Sequence, residues 1–259
     1  MAKICIDPGH YGKYNRSPGI PEYYESEMVW KLSQFQKKYL EQMGDTVVLT
    51  RTDPNKDLAL QSRGKASKGC DLFISNHSNA VAGGMNEKTS YASIIRMTDD
   101  STVKCDDIAK EFAAKIGPVI ANVMGITYKI STRQAQSDRN GDGIKNDNYY
   151  GVLHGARLVK TPALILEHGF HTHSATVRWL LKDENLDKLA KAEAECIHAF
   201  FAKDEAPKSS SDEVWYTVQS NDTLSKIGKK FGIPWKNIAE LNGIKSPYTI
   251  YVGQKIRIK

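Results

Sequence analysis

The sequence predicts an α/β fold, in which a twisted mixed sheet carries helices on both faces, followed by a small β-α-α-β domain. Short apolar runs alternate with amphipathic stretches of helical period over the first 202 residues. A polar segment, KDEAPKSSSDE, then interrupts every apolar pattern. The predicted domains are therefore residues 1–202 and 215–259, joined by a linker at 203–214.

The first elements of the larger domain are a strand, a helix and a second strand. Lys3–Ile6 is a short apolar run typical of a buried strand. Glu25–Met43 repeats its apolar residues with a helical period, and Gly44 is a natural end for that helix. Thr46–Leu49 is the second apolar run and predicts the second strand.

The remaining elements continue the alternation. They are a helix near 58–68, strands at 71–75 and 91–97, a helix near 102–124, a strand at 163–167 and a final helix near 185–202. Sites in such folds form beyond the carboxyl ends of the strands. His10, His77 and Glu167 stand at or just past such ends, so we expect them to lie near one another.

The smaller domain is also predicted to combine strands and helices, in shorter segments. Strands are predicted at 215–218 and 249–258, and helices at 223–231 and 235–242. Its roughly 45 residues are near the lower size limit for independent folding.

Charge is unevenly divided between the two domains. The chain has a formal net charge of +6, and residues 215–259 hold eight basic residues against two acidic ones, which accounts for the whole excess. The pattern suits attraction to an anionic polymer, and it equally suits a solvated basic face. Charge alone does not name a partner.

The cysteines and the start of the chain bear on the compartment. Cys5, Cys70, Cys105 and Cys196 have no CxxC spacing, so we expect free thiols in the core. MAKICIDPGH has no basic start, long apolar run or small-residue cleavage site. We therefore expect synthesis in the cytoplasm without a Sec signal, and no transmembrane segment.

Two histidines and two acids form a candidate hydrolytic set. Hydrolysis at zinc needs about three protein ligands, an open position for water and a nearby carboxylate to take a proton. His10 follows IDPG, His77 ends DLFISNH, Glu25 opens a helix and Glu167 ends ALILE. Taken singly, each histidine also fits an ordinary surface residue, and Glu25 also fits a residue that complements the helix dipole.

The joint pattern resembles a known family. IDPGH, the helix from Glu25 to Gly44 leading into VVLTR, Leu58 and Arg63, DLFISNHSNA and TPALILEHGF together resemble the zinc-dependent N-acetylmuramoyl-L-alanine amidases of autolysins and phage endolysins. The resemblance covers about residues 1–202. It implies one zinc ion per chain held by His10, Glu25 and His77, with Glu167 as the catalytic acid and base. Glu22 and Glu27 are close rivals of Glu25.

Several residues depart from the family pattern. Asn76 replaces a usual aliphatic residue, His168 and His171 stand where apolar residues are commoner, and His154 stands where an arginine is common. The run HGFHTH, which adds His173, could form a second metal site or could itself be the first one. We favour His154 or His168 as a residue that binds substrate or the developing oxyanion.

The segment DRNGDGIKND opens like a calcium loop. Asp138, Asn140 and Asp142 occupy its first three ligand positions, but position 12 is Tyr149 rather than a glutamate. We therefore favour a polar turn, which could line the substrate site, over a Ca²⁺ site.

The last 45 residues resemble a LysM domain through YTV, NDTL, IAELN and IYVGQKI. The resemblance implies a groove for N-acetylglucosamine-containing glycans. Its candidate residues are Asp222, Thr223, Leu224, Ile244, Pro247 and Tyr248. Thr223 also fits a simple helix cap.

These observations lead to one expected function. The chain is expected to cleave the amide between N-acetylmuramic acid and L-alanine in bacterial peptidoglycan, acting at the cell wall after release. The alternatives are an inactive glycan-binding protein and a peptidase of the stem peptide. Nothing in the sequence favours a nucleic-acid partner, and nothing fixes the oligomeric state.

Overall fold

The computed structural model describes residues 1–98, 105–139, 145, 147–202 and 214–258. The chain divides into two compact units, Met1–Asp204 and Glu205–Lys259. The predicted linker lies outside the described residues except for Val214.

A six-stranded mixed sheet forms the centre of the first unit. Its strands lie in the order β2-β1-β3-β6-β4-β5. β2, β1, β3 and β6 are parallel, whereas β4 is antiparallel to β6 and parallel to β5. The predicted mixed sheet is confirmed. The strands are β1 (Lys3–Pro8), β2 (Thr46–Leu49), β3 (Leu72–Asn79), β4 (Tyr91–Arg96), β5 (Thr127–Ser131) and β6 (Ala163–Phe170).

Helices flank this sheet in two groups. α1, α3 and α6 pack together, and α2 packs on α4, which lies against β6. The apolar faces of α1, α3 and α6 are buried with the central strands in one core, in which side chains such as Leu32, Phe112 and Leu166 are fully buried. The helices are α1 (Glu25–Gln42), α2 (Leu60–Lys65), α3 (Cys105–Met124), α4 (Gly151–Leu158), α5 (Ser174–Leu180) and α6 (Asp183–Phe201).

The central strands run further than predicted. β3 continues past Ser75 to Asn79, and β6 continues past Glu167 to Phe170. His77 and Glu167 therefore lie inside paired strands rather than beyond their ends, which corrects the expected placement. The apolar runs stop early because polar side chains replace apolar ones where the two strands enter the candidate site.

The second unit is a small domain with its own core. β7 (Trp215–Thr217) pairs antiparallel with β8 (Lys255–Arg257), and α7 (Leu224–Phe231) packs on α8 (Trp235–Leu241). The predicted order of elements is confirmed. The last strand is shorter than 249–258 because Gly253 turns the chain with a φ of +87° just before it.

Two further expectations concern composition. Cys5, Cys70 and Cys105 are buried free thiols and Cys196 is a half-buried one, as predicted. Among the described residues, no helix combines the length and apolar character needed to cross a membrane.

Candidate metal centre

Three predicted ligands converge at one edge of the sheet. Donor atoms of His10, Glu25 and His77 all lie within 4.8 Å of one another. Glu25 Oε1 lies 2.8 Å from His77 Nδ1, and Glu25 Oε2 lies 3.3 Å from His10 Nε2. Two imidazole nitrogens and one carboxylate oxygen are a donor set suited to Zn²⁺.

His10 lies two residues beyond β1 in an unusual backbone conformation. Its φ is +56°, a region that residues other than glycine seldom occupy. The preceding Gly9 is packed so tightly that an added Cβ would lie 2.4 Å from Cε1 of His77 and 2.6 Å from the carbonyl oxygen of Asn76. The two histidines can therefore approach each other because residue 9 has no side chain.

Two buried arginines hold the backbone that carries His10. Arg51 donates to the carbonyl oxygens of Pro8 and Gly9. Arg63 donates to those of Pro8 and His10, the latter at 3.0 Å, and pairs with the buried carboxylate of Asp7 at 3.2 Å. These bonds to three consecutive carbonyl groups stabilise the left-handed conformation.

Glu25 begins α1 and is only 1% exposed. Its carboxylate accepts hydrogen bonds from Asn15 Nδ2 at 2.7 Å and from the backbone N–H of Ser78 at 3.0 Å. Its rivals Glu22 and Glu27 are exposed. Burial alone therefore distinguishes the glutamate that reaches the histidines.

The charges of this cluster depend on one another. Burial opposes the charge of Glu25, but hydrogen bonds from His10 and His77 outweigh it and lower the pKa of the carboxyl. Burial likewise opposes the charged form of His77, but the hydrogen bond and charge of Glu25 raise the pKa of His77 to about 9. The metal-free cluster is thus held together by opposite charges.

Glu167 completes the cluster from β6. It lies opposite His77 in the strand pairing. Its Oε2 is buried and has no hydrogen-bond partner among the residues the structure describes. Burial, helped by the charge of Glu25, raises the pKa of Glu167 to about 7. A carboxyl group in this state can both accept and release a proton near neutral pH.

The two histidines proposed from the sequence as substrate ligands lie elsewhere. His168 is fully buried, with Nδ1 3.0 Å from the carbonyl oxygen of His77 and Nε2 2.8 Å from Glu193 Oε1. Burial opposes its charge, but Glu193 outweighs it and raises the pKa of His168. His154 is 1% exposed on α4, 3.9 Å from Asp147. Both side chains are shielded from solvent, whereas a residue that binds substrate was expected to be accessible.

The other two histidines of HGFHTH have separate surroundings. His171 Nδ1 lies 3.0 Å from the carbonyl oxygen of Ser78 and 3.8 Å from Glu25 Oε2. His173 accepts a hydrogen bond from the backbone of Thr176 and caps α5. His171 is therefore the histidine of this run that adjoins the metal centre. From the sequence, His171 stood out only as a member of this run and as a departure from the family pattern. Its contacts could not be predicted, because the pairing of β6 with β3 shifts after Glu167.

A cavity of about 280 Å³ opens beside the cluster. Its lining combines aromatic and apolar side chains with two histidines and charged groups, which suits a ligand with both apolar and polar groups. The lining residues are Asp7, His10, Tyr11, Tyr14, Asp57, Leu60, Arg63, His77 and Val152.

In the segment that opens like a calcium loop, Asn140 and Asp142 lie outside the described residues.

The candidate glycan residues of the second unit fall into two groups. Asp222 accepts hydrogen bonds from Tyr216 and the backbone of Gln219, Thr223 caps α7, and Leu224 is buried in the core. Ile244 and Tyr248 line a cavity of about 510 Å³, and Pro247 lies exposed between them in the chain. The burial of Leu224 in the core is a correction, because a groove residue was expected there.

Comparison with solved structures supports the fold of the first unit. The catalytic domain of CwlV, an N-acetylmuramoyl-L-alanine amidase from Bacillus (Paenibacillus) polymyxa var. colistinus, is similar with a TM-score of 0.61 and 20% identity, over 78% of this chain and 98% of that one. An N-acetylmuramoyl-L-alanine amidase from Clostridium difficile 630 is similar with a TM-score of 0.63 and 20% identity, over the same shares.

Curated relatives match only a short stretch. N-acetylmuramoyl-L-alanine amidase sle1 of Staphylococcus aureus (strain MRSA252) is 44% identical over 50 residues, which are 19% of this chain and 15% of that protein. The uncharacterized lipoprotein YgeR of Escherichia coli (strain K12) is 51% identical over 43 residues, 17% of each. The match thus spans less than a fifth of the length of these relatives.

Family models cover nearly the whole chain. The model for N-acetylmuramoyl-L-alanine amidases matches residues 4–199, and the model for LysM domains matches residues 216–259. The first match extends over far more than half of the sequence. The chain therefore belongs to the N-acetylmuramoyl-L-alanine amidase family and carries a LysM domain after its amidase region.

Proposed function

We propose that the protein hydrolyses the amide bond between N-acetylmuramic acid and L-alanine in bacterial peptidoglycan, using one zinc ion held by His10, Glu25 and His77. The observation that carries the proposal is the convergence of these three donors beside Glu167, a half-buried residue whose buried Oε2 has no hydrogen-bond partner among the described residues. Membership of the amidase family supports the assignment of the bond that is cleaved. We assign cleavage to residues 1–202.

The donor set supports zinc as the resident metal. Two neutral imidazoles and one carboxylate leave a single positive charge on a bound Zn²⁺ and an open position in a four-coordinate site. When bound there, zinc would polarise the scissile carbonyl group and make water more acidic.

Glu167 supplies the proton transfers. In its ionised form it takes a proton from the attacking water, whose oxygen bonds to the lactyl carbonyl carbon. It then gives the proton to the nitrogen of L-alanine as the carbon–nitrogen bond breaks. A pKa of about 7 suits both steps, because the group is then neither a very weak base nor a very weak acid near neutral pH.

We assign glycan binding to residues 215–259. Tyr248 is 43% exposed beside Ile244, and both line the cavity in this unit, so they offer apolar surface to sugar rings. Pro247 extends that surface. Asp222 and Thr223 are weaker candidates for glycan binding, because their side chains already accept hydrogen bonds within the protein. Binding by this unit would raise the local concentration of wall substrate at the amidase region. We therefore place the action of the enzyme at the cell wall.

The test is mass analysis of purified peptidoglycan after digestion. We expect stem peptides with a new L-alanine amino terminus and glycan strands with free lactyl groups. A chelator should abolish both products, and added Zn²⁺ should restore them. Cleavage within the stem peptide would identify a peptidase instead. A zinc-loaded protein that binds the wall and releases no product would contradict the amidase activity and leave a glycan-binding protein.

A further inference from the structure

The pairing of β3 with β6 is interrupted beside the metal centre. The register runs evenly from Phe73↔Ala163 to His77↔Glu167, and it resumes at Asn79↔Phe170. β6 therefore uses three residues where β3 uses two, which is a β-bulge. Gly169 makes it possible, because its φ is +73° and an added Cβ would lie 2.6 Å from Cγ2 of Thr176.

The side chain of His168 takes over a hydrogen bond at this bulge. Its Nδ1 lies 3.0 Å from the carbonyl oxygen of His77. A carbonyl oxygen can only accept, so Nδ1 carries the hydrogen and donates it. An imidazole group thus binds the backbone of a proposed metal ligand at the point where the regular ladder stops.

His168 is itself held in a closed ring of hydrogen bonds. Its Nε2 lies 2.8 Å from Glu193 Oε1, and Glu193 Oε2 accepts from Gln36 Nε2 at 2.7 Å. Gln36 Oε1 accepts from Asn76 Nδ2 at 2.7 Å, and Asn76 precedes His77 in the chain. The ring therefore begins and ends on β3, after passing through β6, α6 and α1.

All four side chains of the ring are fully buried. The hydrogen bonds of this buried ring are rigid because no water competes for them, although Asn76 Oδ1 has no hydrogen-bond partner among the described residues. Since Asn76 and the carbonyl group of His77 are both bound by it, the ring fixes the peptide that carries the metal ligand from two directions.

We propose that His168, oriented by Glu193, is a positioning residue that fixes His77 through its backbone carbonyl group and so maintains the zinc site. The inference rests on the proposed role of His77 as a zinc ligand. It gives His168 a function that needs no contact with substrate, in agreement with its complete burial.

The test uses two substitutions of similar shape. In His168→Asn, the amide nitrogen can replace Nδ1 and keep the bond to His77. In His168→Gln, the amide nitrogen reaches the position of Nε2, so the bond to Glu193 is kept and the bond to His77 is lost. The dissociation constant for Zn²⁺ is measured by competition with a chelator, together with the melting temperature of each metal-free protein and with kcat and KM.

We expect His168→Gln to weaken zinc binding by about tenfold, the usual scale for groups that orient metal ligands, and to lower kcat with little change in KM. His168→Asn should bind zinc more nearly as the wild type does, even if both variants melt at lower temperatures. His198→Gln is the matched control, because His198 on the same helix as Glu193 pairs with Asp45 at 2.8 Å and takes no part in the ring. It should leave zinc affinity unchanged.

Equal zinc affinities in the two His168 variants would overturn the inference. If neither variant folds, His168→Leu combined with Glu193→Leu removes the buried ion pair as a unit, so that no charged group is left without its partner, although Gln36 Nε2 and the His77 carbonyl oxygen lose theirs. This double variant should still bind zinc about tenfold more weakly, and wild-type affinity in it would also overturn the inference. A wild type that binds no zinc would instead overturn the proposed function, and this inference with it.

Discussion

Glu167 lies directly opposite His77 in the parallel pairing of β3 and β6. Paired residues of neighbouring strands are held about 5 Å apart by the backbone, and their side chains leave the same face of the sheet. The proposed acid and base group and one proposed zinc ligand therefore owe their relative position to the sheet. A change to either side chain should disturb chemistry more than architecture.

Glu167→Gln tests the proton transfers. The amide has the shape of the carboxyl group but cannot accept a proton, so we expect the rate of stem-peptide release to fall by about 10²- to 10⁴-fold. Zinc content should remain that of the wild type, since Glu167 is not among the three converging donors. Glu27→Gln, an exposed change at the start of α1, should leave the rate unchanged. Loss of zinc together with activity would instead place Glu167 among the ligands.

The raised pKa of Glu167 has a consequence for stability in the metal-free protein. Below its ordinary pKa of 4.5 the carboxyl group is neutral in both states and contributes nothing. As the pH rises from 4.5 to about 7, it ionises in the unfolded chain but not in the folded one, which favours unfolding. Wild type should therefore lose up to about 3 kcal/mol of stability relative to Glu167→Gln over this range.

Chemical denaturation of both metal-free proteins at several pH values measures this difference. The comparison removes the titration of other groups that the two proteins share. A difference in unfolding free energy that stays constant between pH 4 and 8 would contradict the raised pKa.

Gly9→Ala tests the close approach of the two histidines. The new methyl group would displace the ring of His77 or the strand behind it, so we expect zinc to bind about tenfold more weakly or worse. Gly117→Ala is the matched control, because its Cβ would crowd the ring of Tyr128, 2.6 Å away, on a different part of the sheet. Zinc titration should separate the two variants, and equal weakening would indicate a general loss of packing.

Tyr248→Ala tests the proposed glycan surface. Removal of an exposed ring beside the cavity should weaken binding of the intact chain to insoluble peptidoglycan by roughly three- to tenfold, about 1 kcal/mol. Tyr251→Ala is the control, since Tyr251 is 70% exposed in the same domain but does not line that cavity. Sedimentation of the protein with peptidoglycan measures both. Equal effects would move the glycan site away from Tyr248.

Most of the fold could be predicted because its central strands are apolar runs. β5 escaped prediction because Thr127–Ser131 has only two apolar residues, Tyr128 and Ile130, and every residue of it is exposed, so it forms no buried apolar run. α4 and α5 have only eight and seven residues, too few for a helical period to stand out.

The residue types that form the site could be predicted from the sequence, but the roles of some of these residues could not. Glu25 could be preferred over Glu22 and Glu27 by its position in the family pattern, and its burial agrees with that choice. The roles of His168 and His171 follow from the bulge at Gly169, which sequence periodicity does not reveal. Asn76 and His168, two departures from the family pattern, belong to one hydrogen-bonded ring.

The hydrogen bonds from Arg51 and Arg63 to the carbonyl groups around His10 affect how the protein takes up its metal. In a small zinc finger, the ion must order the chain as it binds, so part of the binding free energy is spent on conformational entropy. Here protein contacts already fix the loop in its left-handed conformation. We therefore expect the enzyme to stay folded after a chelator removes its zinc. Zinc should then rebind at a rate set by ligand exchange on the ion, because the chain does not have to refold first.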